Sequence, residues 1–194
     1  MKKGNYLDTI LRAKQTVFSV QDFAILWEES IGPAARVRLT YYVKKGHLHA
    51  IRRGLYAKDT QYSRLELASK IFTPAYVSLE TILLREGVIF QYYETIYVVS
   101  YITRHLKIEE QSYEFRRINP EILVNRLGIN EENGIFMACK ERAMLDRLYL
   151  TPNYYFDNLR GINWDRAREI VKIYNSKTMI RRLEEYYAVE QNST

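Results

Sequence analysis

Apolar positions recur at helical spacing from the start of the chain. Tyr6, Leu7, Ile10 and Leu11 form i, i+4 pairs and predict a first helix over Tyr6–Ala13. The next stretch, Val17-Phe18-Ser19-Val20-Gln21-Asp22-Phe23, reads as a helix start. Ser19 is a good N-cap with Asp22 at N3, and Phe18 and Phe23 have the spacing of a hydrophobic staple. That helix runs to about Glu28, with Val20, Phe23, Ala24 and Trp27 on one face. Ile31-Gly32-Pro33 breaks it, and Pro33 is placed to open a helix that reaches Lys45. At about 100° per residue, Ala35, Leu39, Tyr42 and Val43 form its core stripe. Ala34, Val37, Tyr41, Lys44 and Lys45 fall opposite, flanked by Arg38 and Thr40, with Arg36 near the border of the core stripe. Gly46 stops the helix. Two short apolar runs around Arg52-Arg53-Gly54 then predict a β-hairpin.

Helix, tight turn, second helix with a basic outer face, basic hairpin: this is the order of a winged helix-turn-helix, whose second helix enters the major groove. Lys58–Ser63 is polar and reads as a linker. Beyond it the pattern predicts helices over Arg64–Phe72, Leu79–Glu86 (capped by Ser78), Lys140–Leu150, Trp164–Tyr174 and Lys177–Tyr187, with frayed residues after the last. Strands are expected at Thr95–Tyr101, Tyr113–Ile118 and Ile135–Ala138. The fold expectation is therefore α+β: a winged helix-turn-helix over residues 1–60 and a larger mixed α/β domain over 64–194.

Charge sharpens this picture. Residues 1–60 hold 11 Lys and Arg against 5 Asp and Glu, a net of +6, whereas residues 61–194 hold 18 of each. A concentrated basic segment attracts a polyanion, because neutralising phosphates releases condensed counterions. Arg38, Tyr41, Lys44 and Lys45 are expected at the major groove of double-stranded DNA, and Arg52 and Arg53 at phosphates or the minor groove. Arg36 and Thr40 are second-rank candidates, and His49 is a candidate phosphate contact.

Catalytic signals are few. The chain has no phosphate-cradling Gly-rich loop, no GxSxG and no HExxH. Of the histidines His47, His49 and His105, the first two lie two apart in the expected hairpin and point to opposite faces, which suits neither a metal pair nor a triad, and the single cysteine, Cys139, follows an apolar run and reads as a core thiol. A nuclease reading would make Glu141 and Asp146 metal ligands. Five residues apart on a helix, they point about 140° away from each other; Arg142 and Asp146, four apart, can pair instead. The expectation is a non-enzyme with no cofactor and no metal. The chain has no apolar run long enough to span a bilayer and begins without an apolar signal core. A cytoplasmic, reduced protein with no membrane partner is expected.

Three segments resemble one family. They are Tyr42–Leu48 running into Ile51–Ala57, then Pro74-Ala75-Tyr76-Val77-Ser78-Leu79-Glu80-Thr81-Ile82-Leu83 with Glu86–Ile89, and Ala138-Cys139-Lys140-Glu141-Arg142-Ala143-Met144-Leu145-Asp146. In this order they resemble the AbiEi-type antitoxins of bacterial abortive-infection, type IV toxin–antitoxin systems. The second is similar to the family's proline-alanine-tyrosine-valine-serine run. The third is similar to its alanine-x-x-glutamate-[lysine/arginine]-alanine-x-x-aspartate motif. The resemblance covers about residues 15–150 and nothing after Leu150. It implies a repressor of its own operon that binds operator repeats and neutralises a nucleotidyltransferase-like toxin. The residues alone leave other readings open: a winged-helix regulator with a ligand-sensing C-terminal domain and no toxin partner, a DNA-processing enzyme, or a protein-interaction domain that never touches DNA.

Overall fold

The computed structural model describes residues 6–30 and 32–192. Met1–Asn5, and Ile31 of the expected helix break, lie outside the described residues. The chain is a mixed α+β protein that divides into two compact units, Met1–Ile71 and Phe72–Thr194.

The first unit contains α1 (Tyr6–Arg12), β1 (Val17–Ser19), α2 (Val20–Trp27), α3 (Pro33–Lys44), β2 (His49–Arg52), β3 (Leu55–Ala57) and α4 (Arg64–Ile71). The α2 start forms as its capping residues require. The Ser19 hydroxyl accepts from the Asp22 amide at 3.2 Å, and the Asp22 carboxylate accepts from the Ser19 amide at 2.6 Å. The rings of Phe18 and Phe23 stack at 5.4 Å, and Phe23 continues to Trp27 at 5.1 Å. Around this aromatic row Ile10, Ala35, Leu39 and Leu48 close the core. Burying side chains of this size supplies about 1.5–3 kcal/mol each. The hairpin turns at Gly54, whose φ of +82° favours glycine.

One strand of this unit is absent from the sequence expectation. β1 pairs antiparallel with β3, Val17 opposite Ala57 and Ser19 opposite Leu55, giving a sheet of order β1-β3-β2. A three-residue strand is too short to show alternation. The expected boundary at residues 61–63 also differs from the observed one by a helix. α4 joins the first unit because Glu66 and Lys70 fasten it to β1. The buried Glu66 carboxylate accepts from the Thr16 amide at 2.8 Å and its hydroxyl at 2.7 Å. Lys70 donates to the Val17 carbonyl at 2.8 Å and the Asp22 carboxylate at 2.9 Å.

The second unit holds β4 (Ala75–Val77), α5 (Glu80–Arg85), β5 (Ile96–Ser100), β6 (Arg104–Ile108), β7 (Gln111–Arg117), α6 (Pro120–Val124), β8 (Ile129–Glu132), β9 (Ile135–Ala138), α7 (Lys140–Leu150), α8 (Trp164–Ile170) with a 3-10 turn over Val171–Tyr174, and α9 (Lys177–Asn192). Its mixed sheet has the order β6-β7-β5-β4-β9-β8. The pairs β4·β9 and β5·β7 are parallel, the others antiparallel. α7 is the central helix, with Glu141–Asp146 and Leu148 all buried, and it packs against α5, α8 and α9. α9 extends to Asn192, five residues past its expected end, where fraying was expected. Two expectations near α5 change. Leu79, not Ser78, occupies the N-cap, and the Ser78 hydroxyl donates instead to Asp146 at 2.8 Å. A buried carboxylate outcompetes a helix end for that hydroxyl because its desolvation leaves it needing donors.

Candidate nucleic-acid interface

The helical wheel of α3 decides where its side chains go. Taking Val37 as the outward direction, Tyr41, Lys44, Ala34 and Thr40 fall within about 60° of it, whereas Arg36 and Arg38 fall about 100° to either side. Leu39 and Ala35 point inward and are buried. Ala34, Val37, Thr40, Tyr41, Lys44 and Lys45 are all exposed, and no acidic residue occurs between Pro33 and Lys44. The Thr40 hydroxyl donates back to the Arg36 carbonyl at 2.9 Å, and the Lys45 ammonium stands 5.9 Å from the Tyr41 ring centre.

The two flanking arginines have opposite fates. Arg36 turns toward the hairpin, where it lines a concavity of about 470 Å³ with Arg52, Arg53, Lys70, Ser19 and Gln21. The last two belong to the start of α2, so that helix's positive dipole end opens onto the same space. Arg36, Arg52 and Arg53 are exposed and are in no ion pair among the described residues. Lys70 is committed to Asp22 at 2.9 Å. The concavity thus offers three guanidinium groups that stand in no ion pair among the described residues, an arrangement that attracts phosphate oxygens; the α2 start beside them is already capped, Ser19 and Asp22 by each other and the Val20 amide by the Gly54 carbonyl.

Arg38 turns the other way and is held by the protein. It is ion-paired with Glu29, and its guanidinium lies 3.6 Å from the Tyr6 ring centre and 5.0 Å from that of Trp27. Among the residues expected at the groove, Arg38 is therefore not brought to the exposed face; it clamps α1 and the α2–α3 turn to α3. Its replacement by Met should lower thermodynamic stability by about 1–2 kcal/mol, the range for a charge-assisted hydrogen bond with cation–π contact at a partly exposed site. Urea unfolding of the variant checks this; an unchanged midpoint would show that the clamp contributes nothing. His49 is half-buried and stacks on Tyr62, with ring centres 6.1 Å apart. The sequence reading missed Gln21 and Lys70. Gln21 had a signal in its place beside the N-cap, whereas Lys70 sits four residues after Glu66 and reads as an ordinary helix pair.

The second unit carries a different polar centre, closed to solvent. Arg142 and Asp146 are both 0% exposed and paired at 3.2 Å. Asp146 also accepts from Tyr76 at 3.1 Å, Ser78 at 2.8 Å and Tyr174 at 2.7 Å. Arg142 donates further to the Leu127 and Ile122 carbonyls at 2.9 and 2.8 Å and to the Tyr76 oxygen at 3.0 Å. Burial, and then the Asp146 carboxylate, push the Tyr76 and Tyr174 phenols well above their ordinary pKa. Burial alone would lower that of the Arg142 guanidinium, but Asp146 and the two phenols raise it. Gly128, at φ +77°, lets the chain pass over this helix: a Cβ there would lie 3.0 Å from that of Arg142 and 2.9 Å from the Ile170 terminal methyl. Glu141 accepts from the Asn163 amide at 3.1 Å, so the two carboxylates of the nuclease reading are engaged separately. Burial also pushes the Cys139 thiol up, which makes it a poor nucleophile. Among the described residues no three His, Cys, Asp or Glu side chains converge as metal ligands. None of the described helices is long and apolar enough to cross a membrane.

Compared with known proteins, the chain matches no protein-family model and no curated protein.

Proposed function

We propose that the first unit is a winged helix-turn-helix that binds double-stranded DNA, with α3 as the recognition helix and the β2–β3 hairpin as the wing. One observation carries this reading: Arg36, Arg52 and Arg53 meet the start of α2 in a single concavity beside the exposed, acid-free face of α3. Recognition helix and wing are the parts such a unit uses on a duplex. Lys44 and Lys45 extend the basic surface along the helix.

The larger proposal is a transcriptional autoregulator and antitoxin, binding operator repeats and opposing a nucleotidyltransferase-like toxin, in a cytoplasmic protein that is not an enzyme. Its support is the resemblance of three segments to AbiEi-type antitoxins. Two of these segments, Pro74–Leu83 and Ala138–Asp146, supply Tyr76, Ser78, Arg142 and Asp146 to one buried network. The experiment is binding of the full chain to the DNA upstream of its own gene against a scrambled duplex of equal length. Specific regulators exceed their non-specific binding by about 10³-fold or more. Equal affinity for both duplexes would remove the operator claim.

A second reading, a regulator whose second unit senses a small molecule and has no toxin partner, is favoured by a concavity of about 300 Å³ in that unit. Tyr93, Tyr154, Tyr155, Phe90 and Asp157 line it. A thermal upshift of the full chain with an aromatic metabolite would support it.

A further inference from the structure

The outward stripe of α3 that begins at its N-terminus is poor in hydrogen-bonding groups. Pro33, Ala34 and Val37 lead it, and Tyr41 follows one turn on; Val37 is 68% exposed and Tyr41 53%. Lys44 enters the stripe only at its C-terminal end. The Thr40 hydroxyl beside it gives its proton to the Arg36 carbonyl and is left as an acceptor only. A recognition helix contacts base edges chiefly through its N-terminal residues, and here those residues present hydrocarbon. Among the groups that base pairs display in the major groove, the apolar one is the 5-methyl of thymine. The surrounding surface, with Arg36, Lys44, Lys45, Arg52 and Arg53 exposed and no acid on the helix, fits a polyanion rather than an apolar protein face.

We infer that Val37, supported by Ala34 and Tyr41, reads the 5-methyl groups of thymine, so that this protein selects its sites by methyl contact more than by hydrogen bonds to bases. This rests on the DNA-binding reading above and deepens it. The guanidinium groups beside the helix position the duplex through phosphates, and the stripe discriminates.

The test selects binding duplexes from a random-sequence pool with the full chain, then replaces each thymine of a selected duplex singly by deoxyuridine. Uracil pairs as thymine does and lacks only the methyl. The expected result is one or two positions at which affinity falls about fourfold, the worth of one buried methyl-sized group. At one of them Val37→Ala should weaken binding to the thymine duplex and abolish the difference between the two duplexes. Val37 is exposed, so this substitution leaves the core intact. Deoxyuridine duplexes that all bind as tightly as thymine duplexes overturn the inference and leave DNA binding standing. A thymine preference that survives unchanged in Val37→Ala overturns the assignment to this stripe. A pool that the chain retains at low salt without enriching any sequence overturns the inference and leaves DNA binding standing; a pool that it does not retain at about 50 mM salt removes the DNA-binding reading, and this inference with it.

Discussion

Replacing Asp146 by Ala should destabilise the second unit by about 3–5 kcal/mol, the cost of leaving one partner of a buried ion pair without the other. The Arg142 guanidinium would keep its contacts to the Leu127 and Ile122 carbonyls but lose its counter-charge in a site with no solvent access. The hydroxyls of Tyr76, Ser78 and Tyr174 would lose their shared acceptor. Against a total stability of about 5–15 kcal/mol for a domain, such a loss approaches unfolding. Asp146→Asn retains shape and an acceptor oxygen and should cost less. The double variant Arg142→Met, Asp146→Leu removes both charges together and should recover a large part of the loss, since an apolar pair of similar volume can replace a buried ion pair. Hydrogen exchange of the α7 amides, compared with those of α3, reads the effect in its own unit. Protection of α7 within about 1 kcal/mol of the unsubstituted protein would show that the network does not hold the fold.

This expectation gives the two motif-bearing segments of the second unit a physical role. Tyr76 and Ser78 come from one, Arg142 and Asp146 from the other, and Tyr174 joins from a stretch that the resemblance does not reach. The i, i+4 spacing of Arg142 and Asp146 made their pairing legible in the sequence. Their complete burial was not, because a charge-dense helix start reads as a solvated one when its packing partners lie 66 and 70 residues away in sequence.

The longer helices were largely legible, from a 3.6-residue apolar period and, in several, caps; α6, only five residues long, shows no period and was not expected. Lys140–Leu150 lies where the pattern put it, and the Ser19–Asp22 box opens α2. Strands were less so. β6 and β8 are the two edges of the larger sheet and carry the charges that edge strands use against further pairing; the alternation of His105-Leu106-Lys107-Ile108 spans only four residues, and Ile129-Asn130-Glu131-Glu132 has a single apolar position. β4 is buried at all three positions, and so short an apolar run has no period to detect. At the candidate interface the exposed positions of α3 followed from the wheel alone. The fate of its two flanking arginines did not, because it depends on what each lies beside: the β2–β3 hairpin for Arg36, and Glu29 with Tyr6 for Arg38.

The central claim is that the concavity formed by Arg36, Arg52 and Arg53 is a phosphate site. Each phosphate contact contributes about 0.9 to the slope of log affinity against log salt, so removing three should flatten that slope by about 2.7. Between 50 and 200 mM salt such a change corresponds to about 40-fold in how steeply affinity declines. The three arginines are exposed and outside every ion pair among the described residues, so their replacement by Ala should leave the fold and its melting temperature close to those of the unsubstituted protein. The measurement is therefore duplex binding of the full chain and of the Arg36→Ala, Arg52→Ala, Arg53→Ala variant, each titrated from 50 to 200 mM salt. The account predicts parallel thermal stability, weaker binding by the variant at low salt, and a slope smaller by about 2.7. Equal slopes for the two proteins, or no measurable binding by the unsubstituted chain at 50 mM salt, would contradict it.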